Sequence, residues 1–375
     1  MFGCQRGLIV PSYCIPLANP ASFRLGIKSI LQPRSPFYIK PRFDPALFSW
    51  LGHFRRACKP EGMRHGLQSL RDLNYASLEL FDQLIKGESL ACDYHQRGWL
   101  MVYKTEKAFR KAKEDASLLN SHGIKSKTLD PEETLEMEAS LHTGIAGSVF
   151  FPEDAHLDST KFVLALADKL WERQVVIHEK TKILGFETSN DSITAVRTNQ
   201  GDYRPQHVVL AAGAWSRELL KNLNIRLPVQ PGKGYCFSVE RNEAYLDVPI
   251  YFSEAKVAAT PLEDTISFAG VLEFAGMDFS ISHRRVYAIM NAAESYLSGA
   301  TKFGIIEKKS GLRPCSPDGL PMIDRSPEYK NLVVATGHGM LGITQAPITG
   351  KLVSQLVCQQ SLDINLDPFR LARFD

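Results

Sequence analysis

The constraint that acts first on this chain is an alternation of two textures along its 375 residues. Apolar strands that turn directly into helices fill the stretches near 158–225 and 311–360, whereas helices mixed with alternating, half-buried strands fill those near 40–150 and 228–305. The first texture is that of crossover units in a parallel sheet, and the second that of a sheet with one covered face. Because the two interleave, neither lobe can come from one continuous segment. A two-lobed chain also suits a length beyond what a single hydrophobic core sustains. The expected class is α/β with an α+β second lobe, and the cleft between the lobes is the expected ligand site.

Local signals place the elements. Leu67, Leu70, Leu73, Leu78, Phe81, Leu84 and Ile85 recur at helical spacing, with Gly87 where that helix would terminate. Trp99–Tyr103 reads as a strand followed by a helix opening near Thr105. A helix opening at Asp158 or Ser159 is expected to run straight into a strand at Gln174–His178. Further strands are expected at Ile183–Thr188, Ser192–Thr198, His207–Ala212, Val229–Glu240, Lys256–Pro261 and Thr265–Val271, then a helix from Ser282 to Leu297. The strand Leu332–Ala335 and a helix to Gln359 close the chain.

Composition removes several function classes. A net charge of +3, with the basic pairs scattered, does not make a nucleic-acid surface. Seven cysteines without a C-x-x-C pair form neither a disulfide framework nor a zinc site and fit a reducing compartment. No apolar run approaches the roughly 18 residues of a membrane span, and the short apolar patch near the N-terminus is cut by Pro11. The expectation is a soluble cytoplasmic protein that reaches a membrane only through a partner.

Three stretches carry chemistry. In "ATGHGMLGITQAPITG" (Ala335–Gly350), Gly337, Gly339 and Gly342 stand in the spacing G-x-G-x-x-G behind an apolar strand. A dinucleotide fingerprint needs an acid about 20 residues on, at the end of a second strand; here "QSLDINLDPF" offers Asp363 and Asp367 but no strand to carry them. What survives is a strand end, a glycine turn that lets backbone approach a ligand, and a helix N-terminus that favours negative charge. Pro347 fits the first turn if Thr344 is the N-cap. A plain strand-to-helix turn explains the same residues. "HVVLAAGAWS" (His207–Ser216) places Ala212 and Gly213 in a similar turn, again with a purely structural alternative. "SGLRPCSPDGLP" (Ser310–Pro321) reads as a loop in which Arg313 presents a bidentate fork suited to a carboxylate, or else a surface ion pair.

Taken in order, and with "KVAATPLEDTISFAGVLEFAG" between them, these stretches resemble the FAD-dependent amine and amino-acid oxidoreductases, the group of D-amino-acid dehydrogenase small subunits, glycine oxidase and sarcosine oxidase. "GLIVPSYCIPLANP" with "SPFYIKPRFD" is most similar to the bacterial D-amino-acid dehydrogenases, including those acting on D-proline or hydroxyproline. The resemblance implies a two-lobed FAD-dependent oxidoreductase fold with non-covalent FAD in the cleft. It implies flavin contacts from Gly337, His338, Gly339, Met340, Leu341, Gly342 and Thr344, with His338 a turn residue rather than a base. Ala212 and Gly213 would form a second cofactor-side turn, and the backbone of Val176 in "RQVVIH" would meet the adenine. Arg313 matches the carboxylate-binding arginine, and Tyr251 a substrate-side tyrosine. The implied reaction is oxidative deamination of a D-amino acid to a 2-oxo acid and ammonia. The electron acceptor stays open, with a quinone or an electron-transfer protein favoured over oxygen, and the expected place is the cytoplasm, at most peripheral to the inner face of the membrane. A glycine- or sarcosine-oxidase-like enzyme stays open.

The corresponding division assigns 1–40 to a remnant of the N-terminal FAD region, 41–150 and 228–305 to the substrate lobe, and 151–227 and 306–375 to the FAD lobe. One departure stands out. The family opens with a strand, a G-x-G-x-x-G turn, a helix and a second strand ending in an acid, whereas only "MFGCQR" precedes Gly7. The expectation is an incomplete Rossmann-like FAD domain that binds FAD weakly or not at all as written, with a non-catalytic remnant or interaction protein of the same descent as the rival reading.

Overall fold

The computed structural model describes residues 7–23, 35–241, 246–298 and 304–374, so the expectation attached to "MFGCQR" lies outside them. Strands β1 (Leu8–Ile9) and β2 (Phe37–Ile39) precede helices α1 (Pro45–Ala57) and α2 (Pro60–Glu88). Next come β3 (Trp99–Tyr103), α3 (Glu106–Ser121), β4 (Lys127–Leu129), α4 (Pro131–Met137), β5 (Gly147–Phe151), β6 (Ala155–His156) and α5 (Ser159–Glu172). A meander of β7 (Ile183–Ser189), β8 (Ser192–Thr198) and β9 (Gly201–Tyr203) leads to β10 (Val208–Leu210), a 3-10 turn at Gly213–Trp215 and α6 (Ser216–Lys221). Strands β11 (Gln230–Glu240), β12 (Ile250–Phe252), β13 (Val257–Pro261) and β14 (Thr265–Phe274) are followed by α7 (His283–Tyr296), β15 (Ile305–Cys315), β16 (Met322–Arg325), β17 (Leu332–Thr336) and α8 (Ala346–Cys358).

The helices begin where side chains satisfy their orphan N–H groups. Asp44 accepts from Ala46 and Leu47, Asp158 from Thr160 and Lys161, and Thr105 from Ala108, while Asp130 and Glu133 form a reciprocal capping box. Helix α2 runs through Gly87 to Glu88 and stops at Ser89, whose backbone is left-handed (φ 52°), so Gly87 is an interior residue and not the terminator.

Nine strands form the large sheet, in the order β15-β11-β14-β13-β12-β3-β5-β4 with β2 paired alongside β14. Strands β12 and β3 run parallel, as do β14 and β2, and the other neighbours are antiparallel. Residues 306–315, grouped above with the C-terminal FAD segment, are hydrogen-bonded into this sheet. A second sheet of three strands, β10-β17-β16, pairs β10 parallel to β17 with Val208 opposite Leu332. All five residues of β17 are buried, as befits the middle strand of a covered sheet, parallel to β10 and antiparallel to β16.

Two further expectations fail for identifiable reasons. No strand forms at Gln174–His178: Gln174 is left-handed (φ 60°), the Gln174 and Val175 amides donate back to Trp171 and Leu170, and Val176 is 73% exposed. That geometry ends α5, and among the described residues no strand offers the segment a ladder. Conversely, the expected loop around Arg313 is strand as far as Cys315, because β11 pairs with it continuously from Gln230↔Cys315 to Ser238↔Glu307. β15 is an edge strand, where Pro314 costs no ladder bond.

Candidate active site

The carboxyl ends of β10 and β17 bring two glycine turns side by side. Thr336, the last residue of β17, is buried and its hydroxyl donates to the Gly213 carbonyl at 3.0 Å. Gly213, Gly337 and Gly339 all take left-handed backbone angles, φ 54°, 82° and 53°. At Gly213 and Gly339 a side chain would meet nothing within 4 Å, so both turns present bare backbone to open space.

That space is a cavity of about 550 Å³ between the three-stranded sheet and the edge of the large one. Its lining includes Gly213, His338, Gly339, Met340, Leu341 and Gly342 together with Tyr251 and Arg313. Ala212 is half-buried beside it, and Gly337 lines an adjoining recess. Thr344 does not line it and does not cap α8, which starts after Gln345 with Pro347 in its first turn. Its buried hydroxyl instead donates to the Leu8 carbonyl and accepts from the Val10 amide, both at 3.2 Å, which fastens the glycine turn to β1. Val176 is not part of the lining.

The Arg313 fork is held by its strand neighbours. Its Nη1 donates to the Val271 carbonyl at 3.0 Å. Val271 has φ 67°, a rare angle for a β-branched residue, at a point where the register between β11 and β14 shifts between Lys233 and Tyr235. The irregularity turns a carbonyl toward the guanidinium. On β11, Gly234 leaves the room the guanidinium occupies, since a Cβ there would fall on both Nη atoms. The turn is tied to the same strand: the Gly339 amide donates to the Pro314 carbonyl at 2.8 Å.

His338 is half-buried, and its Nε2 lies 3.0 Å from the Thr349 hydroxyl in the first turn of α8. Desolvation pushes its pKa down to about 4, so the imidazole is neutral near pH 7. Among the described lining residues, Arg313 is therefore the charged one at that pH.

Aromatic walls complete the cavity. Tyr13, Trp99 and Tyr251 touch in sequence at ring-centroid distances of 5.9 and 5.6 Å, and at the other side Trp215 stacks on Phe279 at 5.5 Å with planes 20° apart. Of these aromatics only Tyr251 is anticipated in the sequence; Tyr13, Trp99, Trp215 and Phe279 are not, nor are Gly234 and Val271. The G-K-G alternation at Gly232–Gly234 inside a strand was the available signal, because a strand glycine marks close approach of another group.

The bare glycine turns, the N-terminal end of α8 at Ala346 and a roomy, largely apolar cavity suit a planar heterocycle carrying negative charge at one edge. A sequence model of the DAO family, FAD dependent oxidoreductases, matches residues 45–356, and the chain belongs to that family. D-amino acid dehydrogenase from Vibrio atlanticus (strain LGP32) is 31% identical over 377 aligned residues, 99% of this chain and 90% of that protein. D-amino acid dehydrogenase from Granulibacter bethesdensis is 30% identical over 376 aligned residues, with the same two coverages, 99% and 90%. Among solved structures, glycine oxidase from Geobacillus kaustophilus matches with a TM-score of 0.78 at 24% identity, over 81% of this chain and 83% of that one. L-proline dehydrogenase from P. horikoshii matches with a TM-score of 0.75 at 19% identity, over 82% and 83%. At those identities the structures speak for the fold. The chain is an FAD-dependent oxidoreductase of this fold, and the residues around its cavity fit the flavin end of that cofactor.

Proposed function

We propose that the protein oxidises D-amino acids to 2-oxo acids and ammonia, passing the electrons to a quinone or an electron-transfer protein. The observation that carries this is Arg313: a guanidinium oriented by Val271 and given room by Gly234, lining the same cavity as the glycine turn that would hold the flavin. FAD, when bound, supplies the two-electron acceptor for the hydride on the substrate's α-carbon.

The chain's own residues supply position and field. Arg313 takes the substrate carboxylate in a bidentate pair and fixes two of its atoms. Tyr251, with Trp99 and Tyr13 behind it, forms an apolar wall against which the substrate packs. His338, neutral near pH 7, adds no cation beside the arginine. The N-terminus of α8 and the turn amides favour negative charge on the group they face. The acceptor assignment is supported by the dehydrogenase relatives. The proposed place of work is the cytoplasm, peripheral to the inner face of a membrane; among the described residues no helix is long and apolar enough to cross one.

The deciding experiment is turnover of paired D- and L-amino acids by the FAD-loaded protein with an artificial dye as acceptor, alongside oxygen uptake. Dye reduction by D-isomers with little oxygen uptake is expected. Equal rates with both isomers, or none with either, would remove the proposal.

A further inference from the structure

A second cavity, of about 440 Å³, is lined by Asp93, His95, Arg97, His156, Arg241, Pro261, Leu262 and Glu263. It shares no residue with the lining of the catalytic cavity, although His156 stands opposite Leu8 in the β1–β6 ladder and Leu8 lines that cavity.

The two carboxylates of the lining have partners of their own. Asp93 is engaged by His95 Nε2 at 2.7 Å and by the Glu263 amide at 2.7 Å, and Glu263 is held by Lys161 at 2.6 Å. Both carboxylates of the lining are thus taken up. Arg241 spends Nη1 and Nη2 on the carbonyls of Leu262 and Leu246 at 3.1 and 3.2 Å, and its nearest carboxylate, on Asp247, stands 3.9 Å away with 78% of its side chain exposed. Among the described residues no carboxylate pairs with Arg97. Two guanidinium charges therefore face one small space.

Two buried nitrogens there also lack a partner among the described residues. His156 is 2% exposed and its Nδ1 meets no acceptor or donor, and the same holds for Arg241 Nε. Buried polar groups are as a rule hydrogen-bonded, so two unpartnered nitrogens in one pocket call for a partner. Burial pushes the His156 imidazole down to about 4, with His95 and the two arginines adding to the shift and Asp93 opposing it.

We propose that this pocket binds a small oxyanion carrying more than one negative charge, of the phosphate or polycarboxylate kind. Arg97 and Arg241 supply the charge, His156 Nδ1 supplies a further donor, and Pro261 and Leu262 complete the lining. An oxyanion is the ligand chemistry that answers fixed guanidinium charge and buried donors together. The proposal does not rest on the reading of the catalytic cavity.

Calorimetric titration of the full chain with inorganic phosphate and, separately, with citrate tests it, chloride being used to hold ionic strength constant. Saturable binding of at least one is expected, with affinity falling tenfold or more in Arg97→Gln and changing less than twofold in Arg313→Gln. Preference for phosphate or for citrate identifies the class of oxyanion. Arg241→Gln should behave like Arg97→Gln; Arg241 also holds two backbone carbonyls, so if that variant does not fold, exposed Arg97 decides alone. No saturation by either anion at 10 mM (about 2.7 kcal/mol), a change under tenfold in Arg97→Gln, or loss of binding in Arg313→Gln overturns the proposal.

Discussion

The guanidinium of Arg313 lies over the α-carbon of Gly234, in the space a β-carbon on that residue would occupy. The two sit on paired strands, β15 and β11, and the contact explains why an eleven-residue strand otherwise rich in side chains carries a glycine there. Gly234→Ala is expected to push the fork off the Val271 carbonyl while leaving the ladder intact. The KM for a D-amino acid should rise at least tenfold with little change in Tm. Arg313→Lys keeps the charge but loses the planar fork, and kcat/KM should fall roughly 10- to 150-fold, about 1.5–3 kcal/mol. Wild-type kinetics in Gly234→Ala would show that the arginine does not hold the carboxylate.

Gly339 faces the cavity with left-handed backbone and nothing within 4 Å of its missing side chain. Gly339→Ala should both strain the turn and fill the space a flavin ring needs, so retained FAD should fall at least tenfold by absorbance after gel filtration. Gly144, also left-handed with open space around it but not in the cavity lining, supplies the control. If Gly144→Ala and Gly339→Ala lose flavin equally, the effect is general destabilisation and the turn is not the flavin cradle.

What could be read from the chain alone was what local pattern encodes. The register of Leu67, Leu70, Leu73 and Phe81 dictates α2, and "WLMVY" dictates β3, because each signal repeats within its own element. The strand holding Arg313 was misread as loop because Gly311 and Pro314 are loop-like residues, and only pairing with β11 makes the segment extended. The reverse error fell on Val175–Ile177, where a β-branched run suggested a strand that the folded chain gives no ladder. The walls of the cavity were invisible for a related reason. Tyr13, Trp99, Trp215 and Phe279 come from four separate parts of the chain, and no spacing rule joins them.

Trp215 and Phe279 bridge from the 3-10 turn after β10 to the segment after β14, and both remain partly exposed, 42% and 39%. The Phe279 segment is anchored from below. Buried Lys233 pairs with Asp278 at 2.7 Å, and the Ser310 hydroxyl donates to the Phe279 carbonyl at 2.8 Å. A stacked pair held in this way narrows the entrance. Phe279→Ala is expected to raise kcat/KM for bulky D-amino acids relative to D-alanine at least fivefold. An unchanged ratio across a substrate panel would mean that the pair does not sense the substrate side chain.

Asp154 is fully buried, receiving the Ser12 hydroxyl at 2.5 Å and the Ser12 amide at 3.1 Å. Burial pushes its pKa up to about 8 from the usual 3.8, against the pull of the two Ser12 bonds and with a further push from Glu153. Because the folded value lies above the unfolded one, the folded chain holds this proton more tightly, and the resulting stability is complete below the unfolded value. It is lost as pH rises toward about 8, and above that the contribution is flat. Asp154→Asn keeps the shape of the neutral acid but cannot ionise, so it removes that pH dependence alone. The Tm of the wild type relative to Asp154→Asn is therefore expected to fall steadily from pH 5 to pH 8 and to change little from pH 8 to pH 9. A difference constant across this range would mean that Asp154 ionises alike in the folded and unfolded chain, and that its tie to Ser12 holds a charge rather than a proton.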